Sequence, residues 1–250
     1  MEQKVAVVTG GNKGIGRFIT EALLEAGYHV VIGSRSAEGL SSLSSSEYSH
    51  LIMDVCDESG HLALCEQAKR VAGRVNVYVN NAGLSSWRPI ERIDERFFDD
   101  LIGTNLKGAF WGCKAAAKAM RENGGSIINI SSIAGKRGSA NNAMYCATKF
   151  GVNGLTQSLC KELGPKNIRV NALCPVLVET NGLVAALEEE HAPGVNGTSE
   201  FLSNFRIANA ALGRLPTGED VANMAVFLAS DAADGITGQC INIDCGVFPQ

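Results

Sequence analysis

The sequence is sparing with the features that mark several protein classes. It holds 4 histidines in 250 residues, and its 8 cysteines form no C-x-x-C pair. His29, His50, His61 and His191 stand apart from those thiols, so no zinc-ligand spacing arises and no metal is expected. Thiols scattered in this way fit a reduced, cytoplasmic protein better than a disulfide framework. No stretch approaches the ~18 consecutive apolar residues of a membrane span. Met1–Lys4 runs directly into Val5–Val8, which is too short for a signal-peptide core. A net charge of −4 supplies no basic field for nucleic acid or an anionic membrane. Linkers of low complexity and internal repeats are also missing, so residues 1–250 are expected to form one domain.

Against these absences stands a hydrophobic content of 45% with 19% charged residues, which argues against disorder and for a large buried core. Apolar, β-branched runs at Val5–Thr9, His29–Gly33, His50–Asp54, Asn76–Val79, Ser126–Ile130, Ile168–Leu173 and Cys240–Asp244 read as seven strands. Their nearly continuous apolar character suits parallel strands covered on both faces. Helical patterns fall at 14–26, 57–72, 94–120, 143–163 and 217–229, and the Ser-rich Ala37–Ser49 has room for a short helix. Such alternation predicts an α/β fold, a doubly wound seven-stranded parallel sheet of the Rossmann type. The segment at 181–212 interrupts it with Glu188–Glu190, Pro193 and two glycines. It follows the carboxyl end of a strand, where ligands of such sheets bind, and is expected to be a lid over a substrate.

Gly10, Asn12, Lys13, Gly14, Ile15 and Gly16 form a glycine-rich turn between the first strand and the first helix. Glycines there let the backbone approach a pyrophosphate, which sits at the positive end of the helix dipole. The residue that reads the adenosine ribose belongs about 20 residues further on, at the end of the second strand. There the chain has Ser34 and Arg35, with no acid before Glu38. Arg35 and Lys13 can pair with a 2′-phosphate, and the missing carboxylate removes the usual partner of a free ribose hydroxyl. NADP(H) is therefore expected over NAD. Asp54 and Val55 are placed to hold the adenine, and Asn80–Gly83, with Asn81, Ala82 and Gly83, to form a wall for a flat cofactor.

Tyr145 and Lys149 share one helical face a turn apart. An ammonium about 4 Å from a phenolate is worth up to ~4 kcal/mol at an effective dielectric of about 20. The pair can therefore move a phenol, ordinarily near pH 10, toward neutrality, where general acid–base catalysis works. Ser131 and Ser132 end the fifth strand, and a hydroxyl there can bind a substrate carbonyl. The Asn105 side chain could hold a water linking Lys149 to solvent.

The ordered set of the glycine turn, Asn80–Gly83, Asn105, Ser132, Tyr145-x-x-x-Lys149 and Pro175–Thr180 resembles the short-chain dehydrogenase/reductase family, in its short single-domain branch with 3-oxoacyl-carrier-protein reductase-like members. The likeness runs from Val5 to Gly246. It implies a reversible hydride transfer between NADP(H) and a ketone, aldehyde or secondary alcohol. In it Ser132 polarises the carbonyl, Tyr145 transfers the proton, and Lys149 binds the nicotinamide ribose and lowers the tyrosine pKa. Asn105 completes a proton relay, while Pro175, Val178 and Thr180 match contacts around the carboxamide. Relatives pair their equivalents of 94–120 and 143–163 across subunits, which implies a homotetramer or homodimer. Two positions depart from the family pattern, which has glycine where this chain has Val176 and Cys245.

The alternative reading is a catalytically silent, nucleotide-sensing regulator, but such relatives usually lack the tyrosine or lysine that this chain keeps. Halohydrin dehalogenase-like lyases replace the lysine with arginine, and enoyl reductases space tyrosine and lysine more widely. Trp87, Arg88, Lys136, Arg137 and His191 could reach a ligand or serve only as packing and solvated charge. Leu183, Val184, Leu187, Phe201, Leu202 and Phe205 offer the lid an apolar lining.

Overall fold

A computed structural model describes all residues except Met1, Glu2, Ser44, Ser46 and Gln250. The seven expected strands form one parallel sheet in the order β3-β2-β1-β4-β5-β6-β7. They span Lys4–Thr9 (β1), Tyr28–Ser34 (β2), Tyr48–Ile52 (β3), Val77–Asn80 (β4), Gly125–Ile130 (β5), Ile168–Pro175 (β6) and Cys240–Ile243 (β7). Alternation along β1 divides its apolar run between two layers. Ala6 and Val8 join one core with Ile19 and Leu23, whereas Val5 and Val7 join the other with Leu64 and Ala68. Helices α1 (Gly14–Glu25) and α8 (Gly218–Ala229) cover the first face. Helices α2 (Glu58–Ala72), α4 (Gly108–Ala119) and α5 (Ala143–Leu163) cover the second.

The sheet reverses its winding between β1 and β4, which pair with Val8 opposite Val79. Loops leaving their carboxyl ends diverge to opposite faces, and the crevice between them is where a doubly wound sheet takes its ligand.

Several elements differ from expectation. The third strand lies at Tyr48–Ile52, two residues earlier than its apolar run suggests. Asp54 ends it by turning its carboxylate to the Cys56 amide, at 2.9 Å. Only a short 3-10 turn, Leu40–Ser42, forms in the Ser-rich segment, of which Ser44 and Ser46 lie outside the described residues. The expected helix at 94–120 is divided into α3 (Glu95–Leu101), a π-helical turn at Ile102–Lys107, and α4. Residues 181–212 contain two helices, α6 (Asn181–Leu187) and α7 (Thr198–Asn209). Among the described residues, no helix is long and apolar enough to cross a membrane.

Candidate active site

The carboxyl ends of the strands open into a cleft of ≈ 1390 Å³. At one end lies the glycine turn. Gly10 has φ +63°, a conformation that side chains disfavour, and a Cβ on Gly16 would lie 2.2 Å from the Gly10 carbonyl oxygen. Gly16 therefore packs the turn against α1 and does not line the cleft, whereas Gly10, Lys13, Gly14 and Ile15 do. No side chain caps the N-terminus of α1. Its first N–H groups have no intrahelical partner, and Gly14 and Ile15 line the cleft, an arrangement suited to a pyrophosphate.

Asn12 also lines the cleft, but its amide donates to the carbonyls of Ser36 (3.4 Å) and Glu38 (3.0 Å), tying the turn to the loop after β2. The Ser34 hydroxyl is likewise engaged, donating to the Ser36 carbonyl at 2.7 Å and meeting His50 Nε2 at 2.8 Å. Arg35 is exposed and lines the same end with Lys13, and neither forms a described salt bridge. Asp54 and Val55 close that end; the Cys56 amide holds the Asp54 carboxyl below its usual range, with help from Arg35. Asn81, Ala82 and Gly83 form the wall. The Asn81 amide donates to the Thr9 carbonyl at 2.9 Å, bracing the turn against β4.

Ser132, Tyr145 and Lys149 meet midway along the cleft. Ser132 leaves the end of β5, and its Oγ accepts from the Ala134 amide (3.1 Å) and donates to the Pro175 carbonyl (3.4 Å). Tyr145 and Lys149 stand on the first turns of α5. Burial pushes the Tyr145 phenol up to about 12, and the hydrogen-bonded Ser132 hydroxyl is what pulls it down. This corrects the expected electrostatic pairing. The Lys149 Nζ turns away to donate to the Ile130 carbonyl at 2.9 Å, and it lies 5.6 Å from the Tyr145 ring centre. Burial of that ammonium pushes its pKa down to about 8.

Asn105 sits in the π-helical turn, behind the cleft rather than on its lining. Its Oδ1 accepts from the Leu84 amide (2.7 Å), and its Nδ2 donates to the Leu84 carbonyl (2.9 Å) and the Thr148 hydroxyl (3.2 Å). The side chain thus ties the loop after β4 to α5, with both amide hydrogens engaged and one acceptor site of Oδ1 left. The wide turn that aims it there has no signature in the apolar spacing.

Beyond the tyrosine, Pro175, Val178 and Thr180 continue the lining. The Thr180 hydroxyl caps α6 by accepting from the Leu183 amide at 3.2 Å. Val176 is buried with Ile133, Ala210 and Val247, forming an apolar floor that Leu177 and Phe205 extend. Cys245 has φ +55°, which accounts for the glycine that the family pattern places there. Of the lid residues, Leu183, Phe201 and Phe205 line the cleft. Leu187 and Leu202 instead pack beneath Trp87, which itself lines the cleft, and Val184 does neither. Arg88 stacks over the Phe97 ring, and His191 pairs with Glu190 at 3.9 Å, so both are outside the site. Lys136 donates to the Cys240 carbonyl, whereas Arg137 lines the cleft. Asn142, at the start of α5, also lines it and was not singled out by sequence; a polar residue at the entry to the Tyr145 helix is the signal that could have found it.

Fold and site together define an oxidoreductase scaffold of the dinucleotide-binding, doubly wound class. The chain belongs to the short-chain dehydrogenase/reductase family. A family model described as Enoyl-(Acyl carrier protein) reductase matches residues 10–248. The chain is 35% identical to 3-oxoacyl-(acyl-carrier-protein) reductase FabG of Chlamydia muridarum over 252 residues, 98% of this chain and 97% of the relative. It is 38% identical to a diacetyl reductase, (S)-acetoin forming, of Staphylococcus aureus over 256 residues, 98% and 97% of the two chains. The crystal structure of a variant actinorhodin polyketide ketoreductase with NADPH superposes with a TM-score of 0.90 at 32% identity, covering 99% of each chain.

Proposed function

We propose that the chain is an NADP(H)-dependent carbonyl reductase in which Tyr145 is the proton donor. The observation that carries the reading is the meeting of Ser132, Tyr145 and Lys149 in one cleft with an uncapped helix N-terminus and two cations, Lys13 and Arg35, that form no salt bridge with any described residue. Relatives named for reducing ketones, and a neighbour crystallised with NADPH, support it. Tyr145 and Lys149 are four residues apart, the spacing that favours carbonyl over double-bond reduction.

NADPH, when bound, supplies the hydride. Lys13 and Arg35 would hold its 2′-phosphate, and the start of α1 would hold the pyrophosphate. Ser132 Oγ donates to the substrate carbonyl oxygen and stabilises charge building there. Tyr145 donates its phenolic proton to that oxygen, yielding the alcohol, and the reverse sequence oxidises an alcohol. A phenol held near 12 stays protonated at neutral pH, so it is poised as an acid. Lys149 holds the nicotinamide ribose, and Asn105 fixes the loop after β4 against α5. Residues 181–212 act as the lid of a single catalytic domain. The apolar groove bounded by the π-helical turn, α4 and α5, which includes Leu106 and Phe110, fits the assembly as a homotetramer or homodimer. A cytoplasmic location is proposed from the free thiols.

Absorbance assays over a carbonyl panel with NADPH and NADH test this reading. Turnover is expected with a preference for NADPH, and Tyr145→Phe is expected to lower kcat by about 10²–10⁴-fold while leaving NADPH binding intact. Full turnover by the variant, or equal use of NADH, would overturn the mechanism or the cofactor assignment respectively.

A further inference from the structure

Resting on the carbonyl-reductase reading, we infer that Arg137 is a specificity-determining residue that selects a carbonyl substrate bearing a carboxylate, a small oxo acid. Arg137 lies five residues beyond Ser132 and lines the same cleft as Ser132 and Tyr145. Its backbone is fixed by a hydrogen bond from its N–H to the Ile133 carbonyl at 3.0 Å. Its guanidinium stands over the Phe248 ring, 5.3 Å from the centre. That ring is itself anchored, because the Phe248 amide donates to Asp244 Oδ2 (2.8 Å) and its carbonyl accepts from Asn242 Nδ2 (2.7 Å). An aromatic platform orients the guanidinium at little entropic cost while leaving its N–H fork unspent.

Arg137 forms no salt bridge with any described residue, although the cleft contains acids. Asp54 and Glu38 lie at the nucleotide end with Arg35, exposed Glu179 lies between Val178 and Thr180 after β6, and the Glu189 carboxylate accepts from the Ser86 hydroxyl at 2.5 Å. Ile133 and Val176 line the same cleft with Val247 packed against them, and Leu177 and Phe205 extend this apolar floor. The substrate end of the cleft thus offers a carbonyl-binding Ser–Tyr pair, an apolar floor and one oriented cation. A short apolar body with a carbonyl at one position and a carboxylate at another satisfies all three, and the planar carboxylate matches the fork. During the reaction the carboxylate is a spectator. Bound NADPH would supply the hydride to the carbonyl carbon, becoming NADP⁺, and Tyr145 would give its proton to the oxygen.

Steady-state kinetics with oxo acids, each paired with its methyl ester, test the assignment. Wild-type kcat/KM should favour the acid by at least about 10-fold, as one charge-assisted hydrogen bond allows. Arg137→Gln should raise KM for the acid by about 10-fold or more, with kcat and the ester's KM within about twofold of wild type. Arg137→Lys should recover part of the loss. An acid-to-ester ratio near one in the wild type, or an Arg137→Gln effect equal on both, overturns the inference while the reductase reading stands. No turnover of either compound overturns the inference alone, and no turnover of any member of the carbonyl panel with NADPH or NADH overturns both.

Discussion

Lys149 is 5% exposed, and among the described residues its ammonium donates one hydrogen bond, to the Ile130 carbonyl. Keeping an ammonium there costs solvation, which is why burial drives its pKa down to about 8 from 10.5. In the window between those values the unfolded chain binds a proton that the folded chain does not. The cost is thus fully present below about pH 8 and is relieved as pH rises toward 10.5. Lys149→Met should therefore raise stability at pH 7, on the order of 1–3 kcal/mol, while abolishing turnover. Urea unfolding checks this, and the gap between variant and wild type should narrow from pH 7 to pH 10. A variant less stable at pH 7 would show that the ammonium is held favourably. At this scale the sequence identifies the chemical groups but not their directions. Tyr145 and Lys149 were legible as a pair from their spacing, whereas the choice of Ser132 over Ser131 came only through the family resemblance. Asn12, Asn81 and Thr180 were legible as positions, yet each side chain is spent on the protein's own backbone. Contacts of that kind arise between segments up to 72 residues apart, where no local pattern records them.

Elements inherit such commitments through their closest approaches. A buried polar chain runs from Asn80 on β4 to Asn129 on β5 at 2.9 Å, on to Thr156 of α5 at 2.9 Å, and ends on the Val152 carbonyl. It locks α5, which carries Tyr145 and Lys149, to the centre of the sheet. Helix α4 can lie over this chain because Gly112 has no side chain; a Cβ there would fall 1.8 Å from Asn80 Oδ1. Asn80 cannot yield without giving up its bond to Asn129. Gly112→Ala is therefore expected to destabilise by about 1–3 kcal/mol, despite alanine's better helix propensity. A lowered melting temperature would show it, and an unchanged or raised one would mean that α4 shifts freely. Strand identities were legible because both faces are apolar, and α5 because its period is regular. The division of 94–120 by a π-helical turn was not, since one widened turn leaves the apolar face nearly continuous. The lid helices were missed because their apolar residues pack on Trp87, a partner from a distant loop.

For the whole molecule, alternation of strands and helices was enough to read the doubly wound sheet, because parallel strands must be covered on both faces. What it could not show is how the cleft is coupled to the core. His61 makes that connection. It is fully buried, with Nδ1 2.8 Å from the Tyr78 hydroxyl and Nε2 2.9 Å from the carbonyl of Val55, which lines the nucleotide end. The Nε2–H donates to that carbonyl and Nδ1 accepts from the tyrosine, so both partners suit a neutral ring. Burial holds the His61 pKa below 6.5, outweighing the bond to Val55. The stability this provides is fully present above about pH 6.5 and is lost as pH falls, because the unfolded histidine takes up a proton that the folded one refuses. Partly buried His50 is shifted in the same direction and adds a smaller share. Wild-type stability should accordingly fall by up to ~1.4 kcal/mol per pH unit and per histidine below about pH 6.5. Carboxylates such as Asp54 and Asp220, held below their usual range, contribute only at more acid pH. Urea midpoints at pH 7.5 and 5.5 measure the loss, and His61→Gln should flatten it even though the variant starts from lower stability. Should that variant fail to fold, the wild-type imidazole resonances serve instead. His61 is expected to show no protonation shift where exposed histidines titrate, and a normal titration would mean that the Val55 loop opens readily and that the ring does not hold the nucleotide end in place.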